Sequence, residues 1–164
     1  MTENNRELTI VRVFDAPRDL VFKAWTDPEL ITQWWGPNGV TNPVCEVDLK
    51  VGGAIEIVML AGEQLGELKG SRWPMAGTFQ EVTPPEKLVY TSSPIIDDKP
   101  IMETITTVTF EDQDGKTKLT LHVSVTEVTP EAEGPLSGMK MGWSQSIDKL
   151  AILVGSKPRQ TSKN

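Results

Sequence analysis

One histidine, His122, and one cysteine, Cys45, are the strongest general-base and nucleophile candidates in the sequence. A histidine titrating near neutral pH suits a general base. In Leu119–Val125, however, the apolar residues Leu119, Leu121, Val123 and Val125 alternate. His122 therefore shares the opposite face with Thr120 and Ser124, which reads as the solvated outer face of a sheet. Cys45 has no second thiol and no neighbouring cation to favour a thiolate, so a structural role is expected. One Cys and one His exclude an intramolecular disulfide and a Cys/His zinc cage. Gly142-Trp143-Ser144-Gln145-Ser146 approximates a nucleophile elbow, but its last residue is Ser and it falls within a helical period, whereas an elbow follows a strand. The acidic groups Asp97-Asp98, Glu111 to Asp114, and Glu131 with Glu133 fall in loops or at a helix start, where solvated charge explains them. Paired-carboxylate catalysis needs environments that push two pKa values apart. No catalytic residue, metal site or cofactor is expected, and the chain reads as a binding protein rather than an enzyme.

The five tryptophans, Trp25, Trp34, Trp35, Trp73 and Trp143, are the better lead. Each brings a large apolar face and one N–H donor. Trp25 reads as core. Trp34 and Trp35 are adjacent, so on a helix one faces the core and the other the mouth of a cavity. Trp73, Met75 and Trp143 are expected to line that cavity. Ser146 falls in the same helical arc as Trp143 and Ile147; its hydroxyl either orients a ligand or bonds back to the carbonyl four residues earlier. The expected ligand-binding set is Trp34, Trp35, Trp73, Met75, Trp143, Ser146 and Ile147. Gly134, Gly138 and Gly142 form a bare ridge, which either permits close packing or loosens the helix start; close packing is the expectation.

These residues need elements to position them. Leu8 to Phe14 is β-branched and predicts a strand. Pro17 suits the first turn of a helix reaching Trp25, and Asp27-Pro28 starts a second short helix carrying Leu30, Ile31, Trp34 and Trp35 until Gly36-Pro37. Val44 to Val51 alternates, turns at Gly52-Gly53 and returns as Ala54 to Leu60. Residues 61–70 read as a glycine-punctuated loop. Further strands are predicted at Arg72 to Val82, Lys87 to Ser92, Glu103 to Glu111 and Lys116 to Thr126, with a loop at Pro94 to Pro100 and a turn at Asp114-Gly115. After Thr129-Pro130-Glu131, Leu136, Met139, Trp143, Ile147, Leu150 and Val154 recur at helical spacing. Gly155 and Pro158 end that helix. The order predicts one α+β domain over residues 1–164, with its core at about 8–154 and a frayed tail at 155–164. A curved antiparallel sheet wrapped around the long C-terminal helix would leave a space for a small molecule, with the two short helices closing one end.

The runs Ala16 to Leu30, Gln33-Trp34-Trp35-Gly36-Pro37, Val51-Gly52-Gly53, Gly77-Thr78-Phe79 with Glu81 to Leu88, and Gly142-Trp143 with Leu150 occur in this order. Together they resemble the family of activator of heat-shock protein ninety ATPase homologues, within the SRPBCC (START-like, birch-pollen-allergen-like) superfamily. The resemblance implies the helix-grip fold and a hydrophobic cavity beneath the long helix. It does not imply one activity, because the superfamily includes carriers, lipid-transfer domains, cyclases and co-chaperones. Many relatives carry a basic residue after the double glycine; here Ala54-Ile55-Glu56 follows, so no cation-dependent site is expected there.

The net charge of −7 disfavours nucleic acid as a partner. No apolar run approaches the ~20 residues of a membrane span, and the polar start lacks a secretory signal, so a cytoplasmic protein is expected. The leading expectation is a small hydrophobic or amphipathic ligand held in an apolar cavity. A chaperone ATPase is the second candidate partner. A cyclase or hydrolase using the same cavity is the third reading, and it would require Glu56 or Glu103 to point inward. A monomer and a homodimer both fit, since a bare sheet edge invites pairing.

Overall fold

The computed structural model describes residues 7–130 and 133–155. The first strand, β1 (Glu7–Phe14), leads into helix α1 (Arg18–Thr26) and the one-turn α2 (Pro28–Ile31). Asp27 caps α2, its carboxylate accepting from the Glu29 N–H at 3.0 Å, with Pro28 in the first helical position. The strands β2 (Val40–Val47), β3 (Ala54–Ala61), β4 (Arg72–Thr83), β5 (Lys87–Ile96), β6 (Lys99–Pro100), β7 (Met102–Gln113) and β8 (Lys116–Val128) follow, and α3 (Glu133–Leu153) closes the chain. A 3₁₀ segment, Glu63–Leu68, lies between β3 and β4.

All strand pairs are antiparallel, in the order β1-β8-β7-β5-β4-β3-β2, with the two-residue β6 paired to β5. The sheet is curved and unclosed. Register shifts between Thr41 and Val44, Phe79 and Glu81, and Glu103 and Thr104 are the bulges that bend it. At Gly77 the bend brings β5 so close that a Cβ would overlap the Thr91 carbonyl oxygen, which requires glycine.

Alternation decides which side chains face inward. Met102, Thr104, Thr106, Val108 and Phe110 of β7 are buried, as are Thr117, Leu119, Leu121, Val123 and Val125 of β8. The last turns of α3 lay Ile147, Leu150, Ala151 and Val154 onto this concave face. The α+β helix-grip arrangement expected from the sequence is therefore present. The main core joins α1, the inner sheet face and α3; a smaller cluster holds Ile101, Met102 and Val125. Met139 of α3 packs against both.

Several expected boundaries move. The second short helix ends at Ile31, so Trp34 and Trp35 lie in the turn after it, Trp34 held by its indole N–H donating to the Ala24 carbonyl at 2.9 Å. The strand expected at Val44 to Val51 runs from Val40 to Val47, leaving Leu49 and Val51 exposed. The reversal starts at Asp48, whose carbonyl accepts from the Lys50 N–H at 2.8 Å, and only glycine at 53 clears that same oxygen. The loop expected at Pro94 to Pro100 is a tight hairpin, because Asp97 and Asp98 both adopt positive φ, at 55° and 65°. The readings placed on Met1 to Asn5, on Glu131 and on the tail beyond Gly155 lie outside the described residues.

Candidate functional site

Four tryptophans meet under α3. The Trp25 and Trp34 rings are 4.7 Å apart, Trp34 and Trp35 5.6 Å, and Trp35 and Trp143 5.3 Å. Trp143 also stacks on Trp25 at 5.9 Å with 18° between planes. Trp25 and Trp34 are fully buried and Trp35 nearly so, whereas Trp143 is half-buried. The expectation that one of the adjacent pair faces the core and the other a cavity mouth therefore changes: both Trp34 and Trp35 belong to the buried cluster. Trp73 stands apart on β4, half-buried and opposite Met59 of β3. Met75, two residues on and buried, lies opposite Ile57 on one side and Pro94 on the other. Ile147 is buried beneath α3.

Ser146 is buried, and its hydroxyl donates to the Gly142 carbonyl at 2.9 Å, the back-bonding alternative raised from the sequence. The glycine ridge is not a close-packing surface. A Cβ at Gly138 or Gly142 would meet nothing within 4 Å, so these two glycines face open space rather than a close neighbour. Gly134 lies where side-chain surroundings are not described.

Between Met75 and the small cluster the concave face turns polar. Tyr90 and Ser92 of β5 lie directly opposite Thr106 and Thr104 of β7. The Ser92 and Thr104 hydroxyls are 2.8 Å apart, and Thr104 Oγ1 also reaches the Ser92 carbonyl at 3.2 Å. Tyr90 accepts a long bond, 3.4 Å, from the Trp25 indole N–H. Its phenol is held protonated well above the usual range by burial, although hydrogen bonding from Trp25 and Thr106 works the other way. Thr106 Oγ1 is buried and faces the Tyr90 phenol. The sequence reading missed this band. Its signal was the alternation Met102, Thr104, Thr106, Val108, Phe110, which puts two hydroxyls in phase with core residues.

Charge is kept to the margins. Arg12 of β1 pairs with Asp148 of α3 at 2.9 Å, and Lys149 donates to the Pro37 carbonyl at 3.3 Å, its ammonium pKa lowered by burial. Cys45 is pushed up to about 11, first by burial and then by the negative charges of Asp27 and Glu46, so it stays a thiol. His122 lies on the outer face, 3.3 Å from Glu7, as its strand phase predicts. Glu56 is exposed, and Glu103 accepts from Thr126 at 2.8 Å on the outer surface. Neither supplies the inward acid that a cyclase or hydrolase reading requires. Among the described residues no cluster of His, Cys, Asp and Glu could hold a metal ion. Nor is any helix among them long and apolar enough to cross a membrane. A shallow depression of about 220 Å³, lined by Gln33, Lys149, Ile152 and Leu153, includes none of the expected ligand-binding residues.

Comparison with known proteins places this geometry in context. Residues 15–155 match the family profile described as Activator of Hsp90 ATPase homolog 1-like protein. A crystal structure from Chromobacterium violaceum is similar at 27% identity and a TM-score of 0.75, covering 91% of this chain and 96% of that one. One from Nitrosomonas europaea has 26% identity and a TM-score of 0.73, covering 93% of this chain and 96% of that one. The AHSA1 protein of Silicibacter pomeroyi has 26% identity and a TM-score of 0.69, covering 89% and 95%. No curated protein matches.

Proposed function

Because the chain belongs to the Activator of Hsp90 ATPase homolog 1-like family, within the SRPBCC superfamily, we propose that it is a binding domain for a small hydrophobic or amphipathic molecule. The ligand lies between the first half of α3 and the concave sheet face. The observation that carries this reading is the half-buried state of Trp73 and Met59 on the inner sheet face and of Met139 and Trp143 on α3. Large apolar groups left partly open on an inner face favour an apolar guest, which removes their surface from water at about 25 cal/mol per Å². Trp73, Met75 and Trp143 form the walls in this reading, with Trp34, Trp35, Ser146 and Ile147 behind them. The outward placement of Glu56 and Glu103 favours binding over turnover.

Native mass spectrometry of the purified chain, with thermal-shift screening of lipids and aromatic compounds, tests the proposal. Bound mass or a dose-dependent rise in melting temperature is expected, and their absence across the panel overturns it. The family description supports a second reading, stimulation of a chaperone ATPase. Steady-state ATP hydrolysis by a matching chaperone, with and without this chain, decides it, and an unchanged rate counts against it.

A further inference from the structure

The hydroxyl band on the concave face is unlike the rest of the interior. Tyr90, Ser92, Thr104 and Thr106 form two directly opposed pairs on β5 and β7, bordered by Met75 on one side and by Met102 and Val125 on the other. The inward residues of β4 (Trp73, Met75, Gly77, Phe79) and β8 (Thr117, Leu119, Leu121, Val123, Val125) add no charge, and neither do those of β5 and β7. Two part-buried cations, Arg12 and Lys149, are committed elsewhere, Arg12 to Asp148 and Lys149 to the Pro37 carbonyl.

Hydrogen-bond capacity remains open in this band. Ser92 and Thr104 share one bond, and Thr104 has the Ser92 carbonyl as its alternative acceptor, so lone pairs remain on both oxygens. Thr106, 1% exposed, is turned to the Tyr90 phenol and leaves the open capacity to Ser92 and Thr104. Ser92 is half-buried and forms the accessible end of the band.

We infer that the ligand carries one uncharged oxygen function, a hydroxyl or a ketone carbonyl, which docks on Ser92 and Thr104 while its apolar body lies against Trp73 and Met75. This inference rests on the binding-domain reading and adds the chemical class of the guest. An alcohol both donates and accepts, matching serine and threonine hydroxyls that do the same. A carboxylate or ammonium group would be buried on four strand faces without a counter-charge, which is strongly unfavourable.

The test is a matched set of eight-carbon probes: octanol, methyl hexyl ketone, octanoate, octylamine and octane. Binding to the full chain is read by native mass spectrometry and by tryptophan fluorescence. Octanol and the ketone are expected to bind at least about tenfold more tightly than octanoate, octylamine and octane, about 1.4 kcal/mol at 25 °C. In Ser92→Ala and Thr104→Val the preference over octane should fall severalfold. If the probes bind with no preference for the neutral oxygen function, or if octanoate binds best, this inference fails and the binding-domain reading stands. If none binds, both fail. The wild-type series decides without the variants, so a variant that folds poorly leaves the outcome intact.

Discussion

Trp143 of α3 stacks on Trp25 of α1, with ring centroids 5.9 Å apart and planes 18° from parallel. This contact ties the middle of the long helix to the short helices at the end of the sheet, and Trp35 braces it edge-on at 5.3 Å. Trp143→Ala removes both ring contacts. A fully buried Trp→Ala change costs ~3–5 kcal/mol, and half-buried Trp143 should fall somewhat below that, about 2–4 kcal/mol. Urea denaturation gives the number, and near-ultraviolet circular dichroism should lose its coupled indole signal. A loss under about 1 kcal/mol would show that the stack does not hold the helix.

Glycines in this chain divide into two kinds, and alanine should separate them. At Gly77 a Cβ would overlap the Thr91 carbonyl oxygen, so Gly77→Ala forces β4 and β5 apart and should cost about 1–3 kcal/mol or more. At Gly138 and Gly142 a Cβ enters open space within α3. Gly138→Ala and Gly142→Ala should each stabilise by ~0.5–1 kcal/mol through helix propensity alone. Melting temperatures of the three single variants check the contrast. A destabilised Gly142→Ala would mean that α3 packs more closely than its neighbours indicate.

Alkaline pH should unfold the protein through its interior. Burial raises the Tyr90 phenol above its ordinary value of 10.0 and the Cys45 thiol from 9.0 to about 11. The folded state therefore holds both protons where the unfolded chain releases them. This stability is fully present below the unfolded pKa values and is lost as pH rises through the folded ones. Melting temperature measured from pH about 8 to about 11 should fall progressively, and the slope should flatten in Cys45→Ala. Tyr90→Phe should also flatten it, while costing about 1–3 kcal/mol at neutral pH by stranding the Trp25 N–H. An alkaline slope unchanged in both variants would exclude these two groups as its source.

Local chemistry made most of the fold legible and part of the site illegible. The β-branched runs, Asp27-Pro28 and the stripe from Met139 to Val154 each state a conformation and a buried face in a few neighbouring residues, and the family resemblance set their order. Trp34 and Trp35 look like helix residues by spacing, yet they sit in a turn because contacts distant in sequence hold them, such as Trp34 on the Ala24 carbonyl. Asp97 and Asp98 hid a tight hairpin because aspartate reaches positive φ less readily than the Asn-Gly pairs that announce one. Strand phase correctly put His122 outside. The same phase held the hydroxyl band, but a threonine between apolar residues reads as ordinary β-former chemistry until its cross-strand partner is known to be a serine or tyrosine.

The tie between the sheet edge and the long helix is electrostatic. Arg12 lies on the inner face of β1, and its guanidinium meets Asp148 of α3 at 2.9 Å, with side-chain exposures of 12% and 29%. A pair this sheltered is worth more than a surface ion pair, and removing one partner leaves the other charge partly buried. Arg12→Ala should therefore cost about 1–3 kcal/mol, or roughly 2–12 °C in melting temperature for a domain near this size. Arg12→Met should recover only the smaller, stem-packing part of that loss, because the ion pair with Asp148 is still gone. Raising the salt concentration should change the wild-type stability little, since partial burial limits screening. Thermal melts of the two variants at low and high salt make the comparison. If Arg12→Ala and Arg12→Met lose equal stability, the charge holds the helix end; if Met restores it, the stem does.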